Sequence, residues 1–389
     1  MGKNLKGREI GKGLSQRKDG RFSARFVTKS GKRLEKYFDT LPEARNWLDD
    51  ARYEDKHSIG GVTKDMTVDA WFEFWINNIV SDRAPNTIRN YREKYKVNIQ
   101  PVIGDFSITD VKPMHCKRVL NQMDAVYAGS TIRQVYIIMG SLFKAALMND
   151  IIKKHPMDGV LYSKPTKAPN KIKYITVEEQ KLFLDAAKKT HNYRQYAFIL
   201  ETGLRAGEMI GLTWDDIDWG AKTLTVCKTL TYLHDKHCWH AGPPKTKASY
   251  RTIPLTKRAY RILKDVYRER DSRTESERLE QSLEYIDCMS GEIRTLDMRD
   301  LVFLGWRCGL PIKASAYDEE IRKICDKAGI RHISLHPLRH TYATRAIEKG
   351  VNPKALQKLL GHAHLQTTMD RYVHVTDESM RKAVKQFES

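Results

Sequence analysis

The chain has 389 residues, 41% hydrophobic and 30% charged, with 68 Lys+Arg against 48 Asp+Glu. That length calls for two or three domains, and the net charge of +20 points to a polyanionic partner, nucleic acid first and an anionic membrane surface second. The sequence holds no run of about 18 apolar residues and opens on a polar, Gly/Lys-rich N-terminus. These features exclude a spanning segment or a signal peptide and predict a cytoplasmic protein.

Residues 1–36 hold twelve Lys/Arg and three acids, punctuated by turn signals at Asp19-Gly20 and Ser30-Gly31. Between the turns Phe22, Ala24 and Phe26 alternate with Arg21, Ser23 and Arg25, a strand with a basic outer face; Leu34 to Phe38 continues as another. Thr40 precedes Leu41-Pro42-Glu43, the start of a helix to about His57. Residues 1–60 therefore read as a small β-sheet packed on one helix, with Arg21 and Arg25 placed to meet phosphates.

From Thr67 the periodicity turns helical, with Trp71, Phe74, Trp75 and Ile79 on one stripe. Asn86 is the predicted cap of a second helix through Tyr95; Ile108–Met123 and Ser130–Asn149 are the third and fourth. Residues 66–162 thus form an all-α domain, whose polar faces carry Arg89, Arg92 and Arg133 among other cations. Residues 163–173, with two prolines, four lysines and no acid, read as a basic linker.

The third domain, 174–389, is predicted α+β. Thr176 to Glu179 is a capping box, a helix from about Arg194 stops at Gly203, and Arg205 and Glu208 follow at the start of another helix near Gly207. Thr223–Tyr232 alternates as one strand, with Tyr250–Leu255 as its antiparallel partner and PPKTKAS in the turn. A helix from Lys257 is expected to run on into the charged stretch RERDSRTESERLEQ, and Asp318–Lys327 is helical. Pro337 opens a helix that Gly350 closes, placing Arg339 in its first turn against the dipole, where a guanidinium needs an anion. Asn352-Pro353 starts the next helix and Gly361 ends it, so His362 lies at a fixed helix exit; Thr367-Thr368 are cap signals before Tyr372.

Six cysteines are scattered without a CxxC pair, as reduced thiols would be. His234, His237, Cys238 and His240 crowd into one hairpin without a partner pair, so no metal is assigned there. No GxxxxGK[ST] loop is present.

GLRAGE, the lysine of PPKTKASYRTIPL, HPLRHTYAT, LLGH and the tyrosine of DRYVHV closely resemble the tyrosine recombinases, also called phage-type integrases. The order Arg, Lys, His-x-x-Arg, His, Tyr matches through residues 174–389. Residues 66–162 look like the family's core-binding domain, and residues 1–60 are similar to the arm-binding domain of integrases from temperate phages and conjugative transposons. Tyr372 lies ten residues after His362, where many members have nine.

The resemblance implies a mainly α, multidomain fold and a set of roles. Tyr372 would be the nucleophile that forms a 3′-phosphotyrosyl link. Arg205 and Arg339 would hold the non-bridging oxygens. His336 would be a general acid/base, Lys245 (or its neighbour Lys247) would protonate the leaving hydroxyl, His362 would hydrogen-bond the phosphate, and Glu208 would orient Arg205 or a neighbour. It further implies double-stranded DNA as substrate, a homotetramer on DNA, a Holliday junction, an excisionase and a DNA-bending protein as accessories, and no ATP, metal or other cofactor. The apolar positions Met380, Val384 and Phe387 predict that the tail docks on a neighbouring protomer.

Overall fold

The computed structural model describes residues 2–28, 33–57, 66–162, 174–270, 281–287, 289–306 and 309–372, with the side chains of 53–57 and 370–372 left aside. The linker 163–173, most of the charged stretch after Arg268, and the tail after Tyr372 lie outside the described residues. Two compact units result, Met1–Lys167 and Ala168–Ser389.

In the first unit, β1 (Gly2–Lys3) pairs with β2 (Glu9–Gly11), and β3 (Leu14–Gln16), β4 (Phe22–Val27) and β5 (Arg33–Phe38) form an antiparallel sheet in that order. The two-residue side-chain period sends Phe22, Ala24, Phe26 and Phe38 toward α1 (Leu41–His57), where Trp47 lies 6.4 Å from the Phe26 ring and 5.7 Å from Phe38. Ile10, Leu14, Ala44 and Leu48 complete this small core. The opposite face carries Ser23, Arg25 and Val27 across from Tyr37, Glu35 and Arg33.

The helical part differs from the predicted pattern in three places. First, α2 (Val68–Phe74) passes into a π-helical turn at Trp75–Ile79, and the helix after it passes into another at Tyr95–Ile99. Second, that helix, α3, is Pro85–Lys94: Ala84 is its cap and Pro85 its first residue, so Asn86 is inside. Proline suits this place because its missing N–H would have no partner there. Third, α4 (Gln100–Ile103) is followed by a 3₁₀ turn at Ile108–Asp110, and α5 begins only at Pro113 (Pro113–Asp124), because a residue before proline is pushed out of the α region; Lys112 sits at φ −112, ψ 161. Helix α6 (Gly129–Met148) runs through the core, and its Leu142 carbonyl accepts from the Trp71 indole at 3.0 Å. Phe72 stacks on Tyr95 at 3.7 Å.

The second unit opens with α7 (Val177–Ala187), where Thr176 and Glu179 cap each other reciprocally. Helix α8 (Tyr193–Thr202) ends at Gly203, φ +65, and α9 (Ala206–Ile210) follows. The predicted strand Thr223–Tyr232 is broken. β6 (Ile217–Asp218) and β7 (Thr223–Val226) share a sheet with β10 (Arg251–Pro254), but β8 (Thr229–Leu233) turns away to pair with β9 (Cys238–Gly242). The break falls at Cys227-Lys228: Lys228 is buried, and its ammonium meets Asp216 at 2.5 and 2.6 Å. PPKTKAS therefore links β9 to β10.

Helix α10 (Lys257–Arg268) is shorter than expected, and the hairpin β11 (Ser282–Ile286) with β12 (Ile293–Asp297) was not predicted. After α11 (Ala314–Ala328), α12 (Leu335–Glu348) starts two residues before Pro337. A proline in the first turn is tolerated because the first four N–H groups have no helical partner. Arg339 is thus the fifth helical residue, past the first turn, contrary to the expected placement. Helix α13 (Pro353–Leu360) is capped by Asn352 and ended by Gly361 at φ +65. In α14 (Leu365–Tyr372) Thr367 and Thr368 are internal, not caps. Among the described residues no helix is long and apolar enough to cross a membrane.

Candidate active site

Three arginines, from the start of α9, from β10 and from α12, converge on a single carboxylate. Gly203 turns the chain left-handed after α8; a Cβ there would come within 2.4 Å of the Tyr342 ring, so no side chain fits. Arg205 then stands at the N-cap of α9, with its backbone N–H donating to Glu208 Oε2 at 2.9 Å and its guanidinium to Oε1 at 2.6 Å. Glu208 is fully enclosed, its side chain 0% exposed. Arg251, on β10, donates to both of its oxygens at 3.1 and 2.8 Å. Arg339 approaches the same carboxylate at 3.9 Å.

Burial alone would raise the Glu208 pKa, but hydrogen bonds and charge from Arg251, then the charges of Arg205 and Arg339, overcome it and hold the carboxyl down at about 2. Three guanidiniums around one carboxylate leave two positive charges in excess.

The C-terminal end of α13 completes the assembly. Three successive carbonyls there are each taken by a different arginine: Leu359 by Arg251 at 2.6 Å, Leu360 by Arg339 at 2.6 Å and Gly361 by Arg205 at 3.2 Å. Cations suit this pole of the helix dipole. Arg339 also donates to the Gly203 carbonyl at 2.7 Å and is 2% exposed in its side chain, whereas Arg205 is 32% exposed. The open cation of the three is Arg205.

His362 is buried directly behind. Its Nε2 lies 3.2 Å from the Arg339 guanidinium and its Nδ1 2.8 Å from Thr368 Oγ1. A guanidinium only donates, so Nε2 accepts and Nδ1 carries the proton toward Thr368. The loop PPKTKAS is tied to the same place, since Ser249 Oγ reaches the Gly361 carbonyl at 3.4 Å and Thr246 Oγ1 at 3.0 Å.

Arg205, Glu208, Arg339 and His362 are thus brought into one cluster. Lys245, Lys247 and His336 are exposed, the lysines on the loop beside Ser249 and His336 in the first turn of α12, edge-on to the buried His340 ring at 4.5 Å. Tyr372 ends α14, its side chain outside what is described. Arg251 and Thr368 belong to the cluster and were not singled out from sequence; Arg251 had a signal, as a basic residue two after Ser249 in the strand that carries the lysine loop.

Of the remaining cations, Arg21, Arg25, Arg89 and Arg133 are exposed, but Arg92 is engaged by Glu73 at 2.8 Å and by Asn77 at 2.8 Å, so it is not a free surface charge. Among the described residues no group of three or more His, Cys, Asp or Glu is placed to hold a metal ion.

Residues 173–379 match the phage integrase family, and residues 67–123 match the N-terminal SAM-like domain of phage integrases. The chain is similar to the transposase from transposon Tn1545 of Streptococcus pneumoniae, 28% identical over 411 residues that cover 98% of this chain and 95% of that one. The transposase from transposon Tn916 of Enterococcus faecalis is similar at the same identity and coverage. The fold is also that of the Tn1549 transposon integrase solved in complex with transposon right end DNA, with a TM-score of 0.67 and 24% identity over 83% of this chain and 100% of that one.

Proposed function

The chain belongs to the phage integrase family, and on that premise we propose that it is a site-specific DNA recombinase that integrates and excises a mobile element. The observation that carries this reading is the cluster of Arg205, Arg251 and Arg339 on the buried Glu208, an excess of positive charge with Arg205 open to an incoming anion.

In the reaction, a DNA phosphodiester lies against Arg205. The planar fork of its guanidinium matches two phosphate oxygens, and its charge is greatest value where negative charge builds up. Arg339, backed by His362, adds its charge to the same site. The Tyr372 oxygen attacks phosphorus, its proton passing to His336. The P–O5′ bond breaks and Lys245, or Lys247 on the same loop, protonates the departing oxygen. The new phosphotyrosyl ester keeps the bond energy, so a 5′-hydroxyl from a second duplex can reverse the step without ATP.

The helical segment and the catalytic unit grip core-type sites through Arg89 and Arg133 among others. The N-terminal sheet takes arm-type sites through Arg21 and Arg25, a segment that a chromosome-dimer resolvase would not need. Four copies exchange strands through a Holliday junction on bacterial DNA in the cytoplasm, with an excisionase and a DNA-bending protein setting direction.

A duplex from the element's own end, nicked near the crossover, tests the assignment. It should trap the chain covalently, with the DNA fragment mapped to the peptide containing Tyr372. Binding without any adduct would sink the recombinase reading. A milder test concerns His362. Thr368→Val removes the acceptor of its Nδ1 proton, and a buried hydrogen bond contributes about 1 kcal/mol, so trapping should slow by about fivefold at unchanged DNA affinity. An unchanged rate would mean that Thr368 does not orient the ring.

A further inference from the structure

The outer face of the N-terminal sheet holds a residue that phosphate binding does not explain. Arg25 and Arg33 are exposed there, and the Arg17 guanidinium lies 4.7 Å from the centre of the Tyr37 ring. Glu35 sits among them, exposed, directly across from Arg25 in the β4–β5 register. A duplex carries one negative charge per roughly 1.7 Å of axis, so a surface made only to follow phosphates loses by placing a carboxylate at its centre.

The carboxylate is also held in place. The Ser23 hydroxyl, on the neighbouring strand and 2% exposed, donates to Glu35 Oε1 at 2.7 Å. That hydrogen bond is the largest effect; with the charges of Arg33 and Arg25 and a hydrogen bond from Tyr37 it outweighs burial and keeps the carboxyl below its usual range, so it is an anion at neutral pH. Ser23 and Tyr37 donate to it, and a carboxylate has about four acceptor sites.

Base edges discriminate between possible partners. A carboxylate can only accept. In the major groove guanine shows two acceptors and thymine one acceptor and a methyl; adenine shows a donor beside the N7 acceptor, which would repel the second oxygen. Cytosine offers its N4 amino group without a neighbouring acceptor on the same base. A pair of antiparallel strands can enter that groove, and β4–β5 is the pair at one edge of the three-stranded sheet.

We infer that Glu35 is a specificity-determining residue, its carboxylate accepting a hydrogen bond from the exocyclic amino group of a cytosine in the major groove of arm-type DNA. The inference rests on the proposal above that this sheet contacts arm-type DNA. Arg17, Arg25 and Arg33 then supply attraction to the flanking phosphates, while Glu35 contributes selection.

The experiment is selection of the full-length chain against a random-sequence duplex library, with the bound pools sequenced for wild type, Glu35→Ala, Glu35→Gln and the double variant Arg25→Ala/Arg33→Ala. Wild type should enrich a motif with one C·G pair whose preference falls by about tenfold in Glu35→Ala, the cost of a typical mismatched pair, while binding to unrelated duplex stays equal or tightens as repulsion is removed. Glu35→Gln keeps an acceptor for Ser23 and should shift the preference at that pair toward adenine, the base that a side-chain amide reads on two atoms. If Glu35→Ala keeps every base preference while the double arginine variant binds duplex more weakly and with a shallower salt dependence, the sheet contacts arm DNA but Glu35 does not select, and the inference falls. If the double arginine variant binds duplex as tightly as wild type and with the same salt dependence, the sheet is not the DNA face and the arm-site proposal falls with it.

Discussion

Arg205→Ala should slow covalent trapping on the nicked duplex by about 10²–10³-fold, the usual cost of removing a group that meets developing charge in the transition state. DNA affinity should change little, because many other cations hold the duplex. The geometry supports a clean result. Arg205 is the most exposed of the three arginines around Glu208, and Arg251 keeps both carboxylate oxygens engaged when Arg205 is gone. The fold should therefore survive, as far-ultraviolet circular dichroism and a melting curve would verify. Arg205→Lys keeps a charge without the fork and should recover only part of the rate. Full activity in Arg205→Ala would remove it from the phosphate site.

Glu208→Ala should act on the fold itself. It leaves Arg251 and Arg339, with side chains 5% and 2% exposed, without their common counter-charge, and breaking a buried ion pair from one side costs about 3–5 kcal/mol. Urea unfolding of the variant should show that loss directly. The same carboxylate gives a pH dependence of defined sign. Its pKa is depressed in the folded chain, from 4.5 to about 2, so its stabilisation is complete above about pH 4.5 and is lost as pH falls toward 2. A depression of that size corresponds to roughly 3 kcal/mol. Glu208→Gln should flatten the stability profile in that window; an identical acid limb would show that other carboxylates set it.

The caps of this chain were legible because their chemistry is local. Thr176 with Glu179, Gly203, and Asn352-Pro353 with Gly361 stand where their dihedral and hydrogen-bond needs put them. That Arg205, Glu208, Arg339 and His362 belong together was legible through a resemblance that joins residues far apart in sequence; the local pattern alone left Arg339 at a helix start and Thr368 as a cap. What escaped depends on tertiary partners. The break at Cys227-Lys228 follows from Lys228 turning inward to Asp216, which an alternating strand pattern does not reveal. The π-helical turns at Trp75–Ile79 and Tyr95–Ile99 shift a hydrogen-bond ladder without any compositional mark. The β11–β12 hairpin follows a charged run that reads as a continuing helix. Arg251 looks like any basic residue on a strand until Glu208 is seen to be enclosed beside it.

The end of α13, with its three carbonyls held by three arginines, fixes a reference point from which the rest of the chain is measured. Beyond Gly361 the path to Tyr372 is a lever. Helix α14 has eight residues, about 12 Å at 1.5 Å per residue. A swing of about 20° at its base carries the far end through roughly 4 Å, more than the ~3–3.5 Å that separates reacting atoms poised for attack. The hydrogen bond from His362 to Thr368 ties the first half of the lever to the fixed end. For the proposed nucleophile Tyr372, a rotation of that size at the base of α14 would by itself change whether its backbone lies within reach of the site.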